Sequence, residues 1–238
     1  MIMATKKSNR IYSIIVICLV LILSSGCKKN DTNTENVPTD ITDFDGNVYH
    51  SVTIGPQTWM VENLKVTHFR NGDQIPNITD FTLWEQQSSP AYCWYNNNST
   101  NKNPYGALYN WFTVSDSRVI APIGWHIPTD DEWTTLITFL GGENLAGGPM
   151  KETGFTHWNQ PNAGATNSSG FTAEPAGFRS GNDFVELNIG TDFWTSTESS
   201  AYLAWNRYLY YNKTQVDRGY NGFGVDKTDG KTIRCIKD

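Results

Sequence analysis

Six residues in the second half of the chain have side chains suited to holding a ligand without a metal. Trp158, Trp205, Tyr208 and Tyr220 carry rings that can cover the apolar face of a sugar or a protein segment while their polar tips stay wet, and Arg207 and Arg218 add cations. They fall in the long loops and late strands read below. Four other tryptophans, Trp59, Trp111, Trp125 and Trp133, sit where a core is expected. For catalysis the sequence offers no Ser/His/Asp or Cys/His order, no zinc-type spacing and no phosphate loop. Its four histidines, His50, His68, His126 and His157, are widely scattered, and each reads as a hydrogen-bonded structural residue rather than a ligand. The acidic run 226–230 reads as a hairpin turn, and Asp130-Asp131-Glu132 suits the positive end of a helix. No cofactor, metal site or catalytic residue is expected.

Two helix-like segments should organise these groups. In 105–112, Leu108, Trp111 and Phe112 recur at i, i+3 and i+4, which lines one helical face. Thr129 and Glu132 form a capping box, Trp133, Leu136, Ile137 and Leu140 continue the helical period, and Gly141-Gly142 supplies the stop. Strands are expected at 47–54 and 57–64, split by Gly55-Pro56, and again at 193–197, 201–211, 214–218 and 232–236. Between helices and late strands, 142–192 reads as a long loop region, where function often resides. Strands, two helices, loops, then strands gives an α+β class, with two helices packed on small antiparallel sheets.

The first 26 residues read as an address. Lys6, Lys7 and Arg10 precede an uncharged apolar run at 11–23, too short to span a bilayer, and Ser24-Ser25-Gly26 places small residues before Cys27. The stretch resembles a bacterial lipoprotein signal, with Cys27 as the acylated anchor, although Ser24 stands where that motif has a large aliphatic residue. Residues 27–40 are polar and read as a flexible tether, leaving 41–238 as one folded domain. The whole chain holds 18 basic and 24 acidic residues, and the signal removes three basic and no acidic ones, so the mature net charge is −9. Such a body lacks the basic patch that nucleic acid requires. In an exported domain the remaining Cys93 and Cys235 read as a disulfide closing a loop of more than 140 residues, worth about 4–5 kcal/mol on the chain-entropy model. Two free thiols are the competing reading.

Several longer motifs carry a family resemblance: 48–64, Tyr92-Cys93-Trp94-Tyr95, 105–111, Gly124 through Trp133, Trp194-Thr195-Ser196-Thr197 and Ile233-Arg234-Cys235-Ile236. Together they resemble the Fibrobacter succinogenes major paralogous domain. The resemblance implies a C-type-lectin-like fold, akin to formylglycine-generating sulfatase-modifying domains, on exported and surface-associated bacterial proteins, many of them lipoproteins. It implies no reaction. A lectin-type calcium site would need Glu-Pro-Asn or Gln-Pro-Asp followed by Trp-Asn-Asp, whereas the chain has Glu174-Pro175-Ala176 and Trp205-Asn206-Arg207, each lacking the final oxygen ligand. If a metal were held by other oxygens, Asp183, Glu186 or Asp192 would supply them. Formylglycine-generating chemistry uses paired nearby cysteines, and Cys235 has no neighbour in sequence. The expectation is an exported, lipid-anchored, non-catalytic module at the outer membrane or cell surface. Its partners would be the membrane through the anchor and a polysaccharide or surface protein. A structural envelope protein without a small ligand is the alternative, and a formylglycine-type enzyme comes third.

Overall fold

A computed structural model describes residues 40–238. The signal segment, Cys27 and all but the last residue of the tether lie outside the described residues. β1 (Ile41–Thr42) pairs with β2 (Val48–Tyr49) around the Asp45-Gly46 turn. β3 (Ser51–Ile54) and β4 (Gln57–Met60) then form the hairpin expected around Gly55-Pro56. Gly55 has φ 58°, and the ring of Phe139 occupies the space a Cβ there would need, so glycine is required twice over. After α1 (Phe81–Glu85), β5 (Tyr92–Cys93) pairs with β6 (Leu108–Tyr109) across α2 (Lys102–Tyr105), and α3 (Trp111–Val114) follows.

The helix expected over 105–112 is therefore not formed. Gly106, at φ 77°, ends α2, Leu108 and Tyr109 are extended in β6, and the Asn110 side chain caps α3 by accepting from Thr113 N–H. Leu108 and Trp111 are buried as the spacing demanded, but through a strand and a single helical turn. Pairing with β5 satisfies the backbone that a longer helix would otherwise have bonded internally.

The second helix is as expected. β7 (Trp125–His126) leads to α4 (Asp130–Phe139), whose capping box is complete: Glu132 N–H donates to Thr129 Oγ1 at 3.2 Å, and Thr129 N–H donates to Glu132 Oε2 at 2.8 Å. Trp133, Leu136 and Ile137 are buried, and Gly141 and Gly142 follow at φ 103° and 90°. Beyond α5 (Gly147–Met150), the 142–192 region is only partly loop. It contains β8 (Ala176–Ser180) and β9 (Asp183–Leu187), joined by Gly181-Asn182, and β10 (Gly190–Glu198) begins inside it. β11 (Leu203–Tyr210), β12 (Val216–Arg218), β13 (Val225–Asp226) and β14 (Ile236–Lys237) complete the chain.

Two sheets dominate. In the larger, the order is β12-β11-β10-β8-β9, with β13 on the same edge of β11 as β12; β10 runs antiparallel to β11 and parallel to β8. In the smaller, β14 lies between β4 and β7 in the order β3-β4-β14-β7. Among the described residues α4 is the only helix longer than five residues, so the α+β, C-type-lectin-like arrangement of two helices on small sheets is overturned in favour of a β-rich domain. α4 covers one face of the larger sheet: Trp133 packs on Phe193 of β10 at 5.3 Å and on Trp59 of β4 at 4.8 Å between ring centroids. Trp59, Trp111, Trp125 and Trp133 are all buried, as expected.

The predicted disulfide is absent. Cys93 and Cys235 are free thiols, each fully buried, in separate hydrophobic clusters. Cys93 lies in the β5–β6 ribbon, whereas Cys235 lies beside β14, and Met60 N–H donates to its carbonyl at 2.9 Å. What ties the last strand into the core is Arg234 next to it. This buried guanidinium donates to Asn63 Oδ1 at 2.7 and 3.0 Å and to the carbonyls of Met60, Val61 and Phe171.

Candidate functional site

The period-two alternation of β11 sends Trp205 and Arg207 to one face of the large sheet and Tyr208 to the other. Arg207 points to α4, where its Nη2 donates to the buried Asp130 Oδ1 at 2.7 Å; burial lowers its pKa against the pull of that carboxylate. Arg218, opposite Arg207 on β12, donates to the other Asp130 oxygen at 2.8 Å. It also lies 3.3 Å over the ring of half-buried Trp205. These three residues form a clamp on the N-terminus of α4. Trp158 is 1% exposed, donates through Nε1 to Ala173 O at 2.9 Å and belongs to the core around Trp133 and Phe171, so it is no binding surface.

Tyr208 and Tyr220 are different. With Phe178 they line a cavity of about 410 Å³ on the opposite face of the sheet, together with Glu186, Asp192, Asn206, Asp226, Asp229 and Lys231. Tyr208 pairs with Asp192 across β10–β11, and its hydroxyl donates to Glu186 Oε2 at 2.6 Å, with burial and that acceptor holding its proton on. Gly190 leaves the room Tyr208 needs, since a Cβ there would meet the phenol ring. Tyr220 is 72% exposed and closes with Phe223 a turn through Asn221 and Gly222, both at positive φ as such a turn requires.

The floor of the cavity is a buried charged group. Lys231 Nζ donates to Asp192 Oδ2 at 2.7 Å and lies 3.2 Å from Asp229 Oδ2. It sits 4.3 Å over the Phe178 ring. Burial alone would lower the lysine's pKa, but the two carboxylates hold it above its ordinary value; burial raises Asp192 against the lysine's pull. Asn206 Nδ2 donates to Asp192 Oδ1 at 2.5 Å, which leaves Asn206 Oδ1 buried without a partner. A buried acceptor without a donor is an unmet requirement in the wall of a cavity.

Of the contingent oxygen ligands, Glu186 and Asp192 reach this cavity and Asp183 does not line it. Glu174 lies away from it, so the two lectin-like tripeptides do not converge there. Phe178, Asp229 and Lys231 were not singled out as ligand candidates; the hairpin signature Gly181-Asn182 between alternating residues could have placed Phe178 in a strand.

The model of the Fibrobacter succinogenes major domain matches residues 52–237, from β3 through β14, and so takes in every residue of the cavity. The chain belongs to that family. No curated protein and no solved structure matches it. Membership in the Fibrobacter succinogenes major domain family names neither ligand nor reaction, and function has to be argued from the site.

Proposed function

We propose that this chain is a non-catalytic binding module, exported and held at the cell surface by a lipid on Cys27, that takes a segment of neutral polysaccharide into the cavity on the large sheet. The observation that carries the reading is the cavity's make-up: aromatic walls at Tyr208, Tyr220 and Phe178, with convergent carboxylates and an unpaired Asn206 acceptor. Rings stack on the apolar faces of a sugar, while carboxylate and carboxamide oxygens accept from its hydroxyls. Among the described residues that line it, carboxylates outnumber the one cation, Lys231, which disfavours anionic polymers.

The thiols support a non-catalytic role. Burial pushes Cys93 up to about 11 and Cys235 up to about 12, and such thiols are inert as nucleophiles at neutral pH. Among the described residues no helix is long and apolar enough to cross a membrane, so attachment in this reading rests on the lipid. The test is retention of the tag-free domain on a panel of neutral and anionic polysaccharides without added calcium. Neutral glycans should retain the wild type, and Tyr220→Ala should weaken retention at least tenfold with an unchanged melting temperature. Capture by surface protein alone would move the ligand to another class, and no retention by either would favour a structural envelope role.

A further inference from the structure

A second cluster lies away from the cavity, where α5 runs into the irregular segment before β8. Lys151 and Ala173 form a parallel bridge, and Glu152 N–H donates to Ala173 O at 3.0 Å, which sets Glu152 and Glu174 side by side. His157 returns between them, its Nδ1 2.9 and 3.0 Å from the Glu152 carboxylate oxygens. The loop is fixed from outside. Asn162 Nδ2 donates to the carbonyls of Glu152 and Gly154 at 2.9 Å, Asn188 Nδ2 donates to His157 O at 2.5 Å, and Tyr105 packs edge-on against the imidazole at 5.8 Å. One ligand atom from each of Glu152, His157 and Glu174 lies within 4.8 Å of the other two.

Glu174 is the residue left unexplained. Among the described residues its carboxylate accepts no hydrogen bond, and Arg234, whose field reaches it, has its N–H groups turned to Asn63, Met60, Val61 and Phe171. Its side chain is half-buried beside those of Glu152 and His157. Two carboxylates and an imidazole converging on one point, with one carboxylate unpartnered, is a donor set short of a cation.

We propose that Glu152, His157 and Glu174 bind one divalent transition ion, with Zn²⁺ the best fit and the fourth position left to water. The imidazole argues against Ca²⁺ and Mg²⁺, which take oxygen ligands. Zinc accepts one nitrogen and two oxygens at about 2.0–2.2 Å, so tetrahedral ligand atoms stand about 3.4 Å apart. The His157–Glu152 spacing of 2.9–3.0 Å lies a little inside that, and the mutual spacing of all three ligand atoms, within 4.8 Å, has to tighten as the ion is bound. Two carboxylates and a neutral imidazole carry the charge that one dication balances. His157, taken from sequence as a structural residue, is then a ligand.

The experiment is titration of the tag-free domain with ZnCl₂ at pH 7.5 by calorimetry, with melting temperatures alongside. One equivalent should bind and raise the melting temperature, while CaCl₂ does neither. His157→Gln and Glu174→Gln should each weaken zinc binding at least tenfold and abolish the rise, with metal-free melting used to check that each variant is folded. His126→Gln, which removes another imidazole held between two carboxylates, should bind zinc as the wild type does. X-ray absorption should show one nitrogen and two protein oxygens. Absence of saturable binding, or binding that survives both ligand substitutions, or loss in His126→Gln, would overturn the assignment.

Discussion

Replacing Lys231 with methionine tests whether the floor of the cavity is one electrostatic unit. The lysine and Asp192 side chains are 1% and 5% exposed, so the substitution leaves the Asp192 carboxylate in the interior with, among the described residues, only the Asn206 amide as a donor. Breaking a buried pair from one side costs about 3–5 kcal/mol. At about 2–4 °C per kcal/mol for a domain of this size, the melting temperature should fall by roughly 6–20 °C. Asp192→Asn combined with Lys231→Met removes both charges, and urea unfolding should recover at least about 2 kcal/mol of the single-variant loss as coupling energy. The sign of the pH effect follows from Asp192, whose carboxyl is already raised by burial. Without the lysine it is raised further, the protonated form is the one the fold tolerates, and the penalty grows as pH rises above the unfolded value of 3.8. The loss in Lys231→Met should therefore be smaller at pH 4.5 than at pH 7.5. Strictly additive effects, or a single-variant loss under about 1 kcal/mol, would refute the reasoning.

Trp158→Ala should destabilise the domain by about 3–5 kcal/mol in urea unfolding, whereas Trp205→Ala, which loses mainly a stack with Arg218, should cost about 1 kcal/mol. His126 bridges Glu132 and Asp238: burial would lower its pKa, but the two carboxylates raise it, and Glu132 is lowered by Thr129 and His126 against burial. The histidine's contribution is lost as pH rises above 6.5, and the glutamate's as pH falls below 4.5, so His126→Gln should lower the melting temperature between those values and converge on wild type at high pH. Both groups are about a third exposed, and the difference should be no more than about 1–3 °C. Cys93 and Cys235 should resist alkylation in the native protein and react on unfolding without reductant; recovery of a Cys93–Cys235 peptide would contradict their free, buried state. Labelled fatty acid should enter the wild type and not Cys27→Ser.

The parts of the fold legible in the sequence were those fixed by neighbouring residues. Thr129 with Glu132, Gly141-Gly142 after Leu140, and Gly55-Pro56 between apolar strands are local devices, and each appears where the residues put it. The segment 105–112 misled because Leu108 and Trp111 are buried at helical spacing while Gly106 and Asn110 break the helix on either side of Leu108-Tyr109. The candidate site was harder still. β11 reads Leu-Ala-Trp-Asn-Arg-Tyr-Leu-Tyr, with polar and aromatic residues on both faces, so alternation alone could not separate Arg207 at the helix from Tyr208 in the cavity. Lys231 meets Asp192 through the pairing of distant segments, and that register is not written in either stretch.

The position of β14 bears on the order in which the molecule can be completed. A chain made from its N-terminus presents β4 and β7 long before residues 236–237 exist, and these two strands do not pair with each other but with β14 between them. Until then the smaller sheet has two open edges, and Arg234 has not reached the carbonyls that receive it. Open edges invite pairing with other chains. The smaller sheet is thus completed only by the last residues of the sequence, which makes loss of residues 232–238 far more damaging than their number suggests.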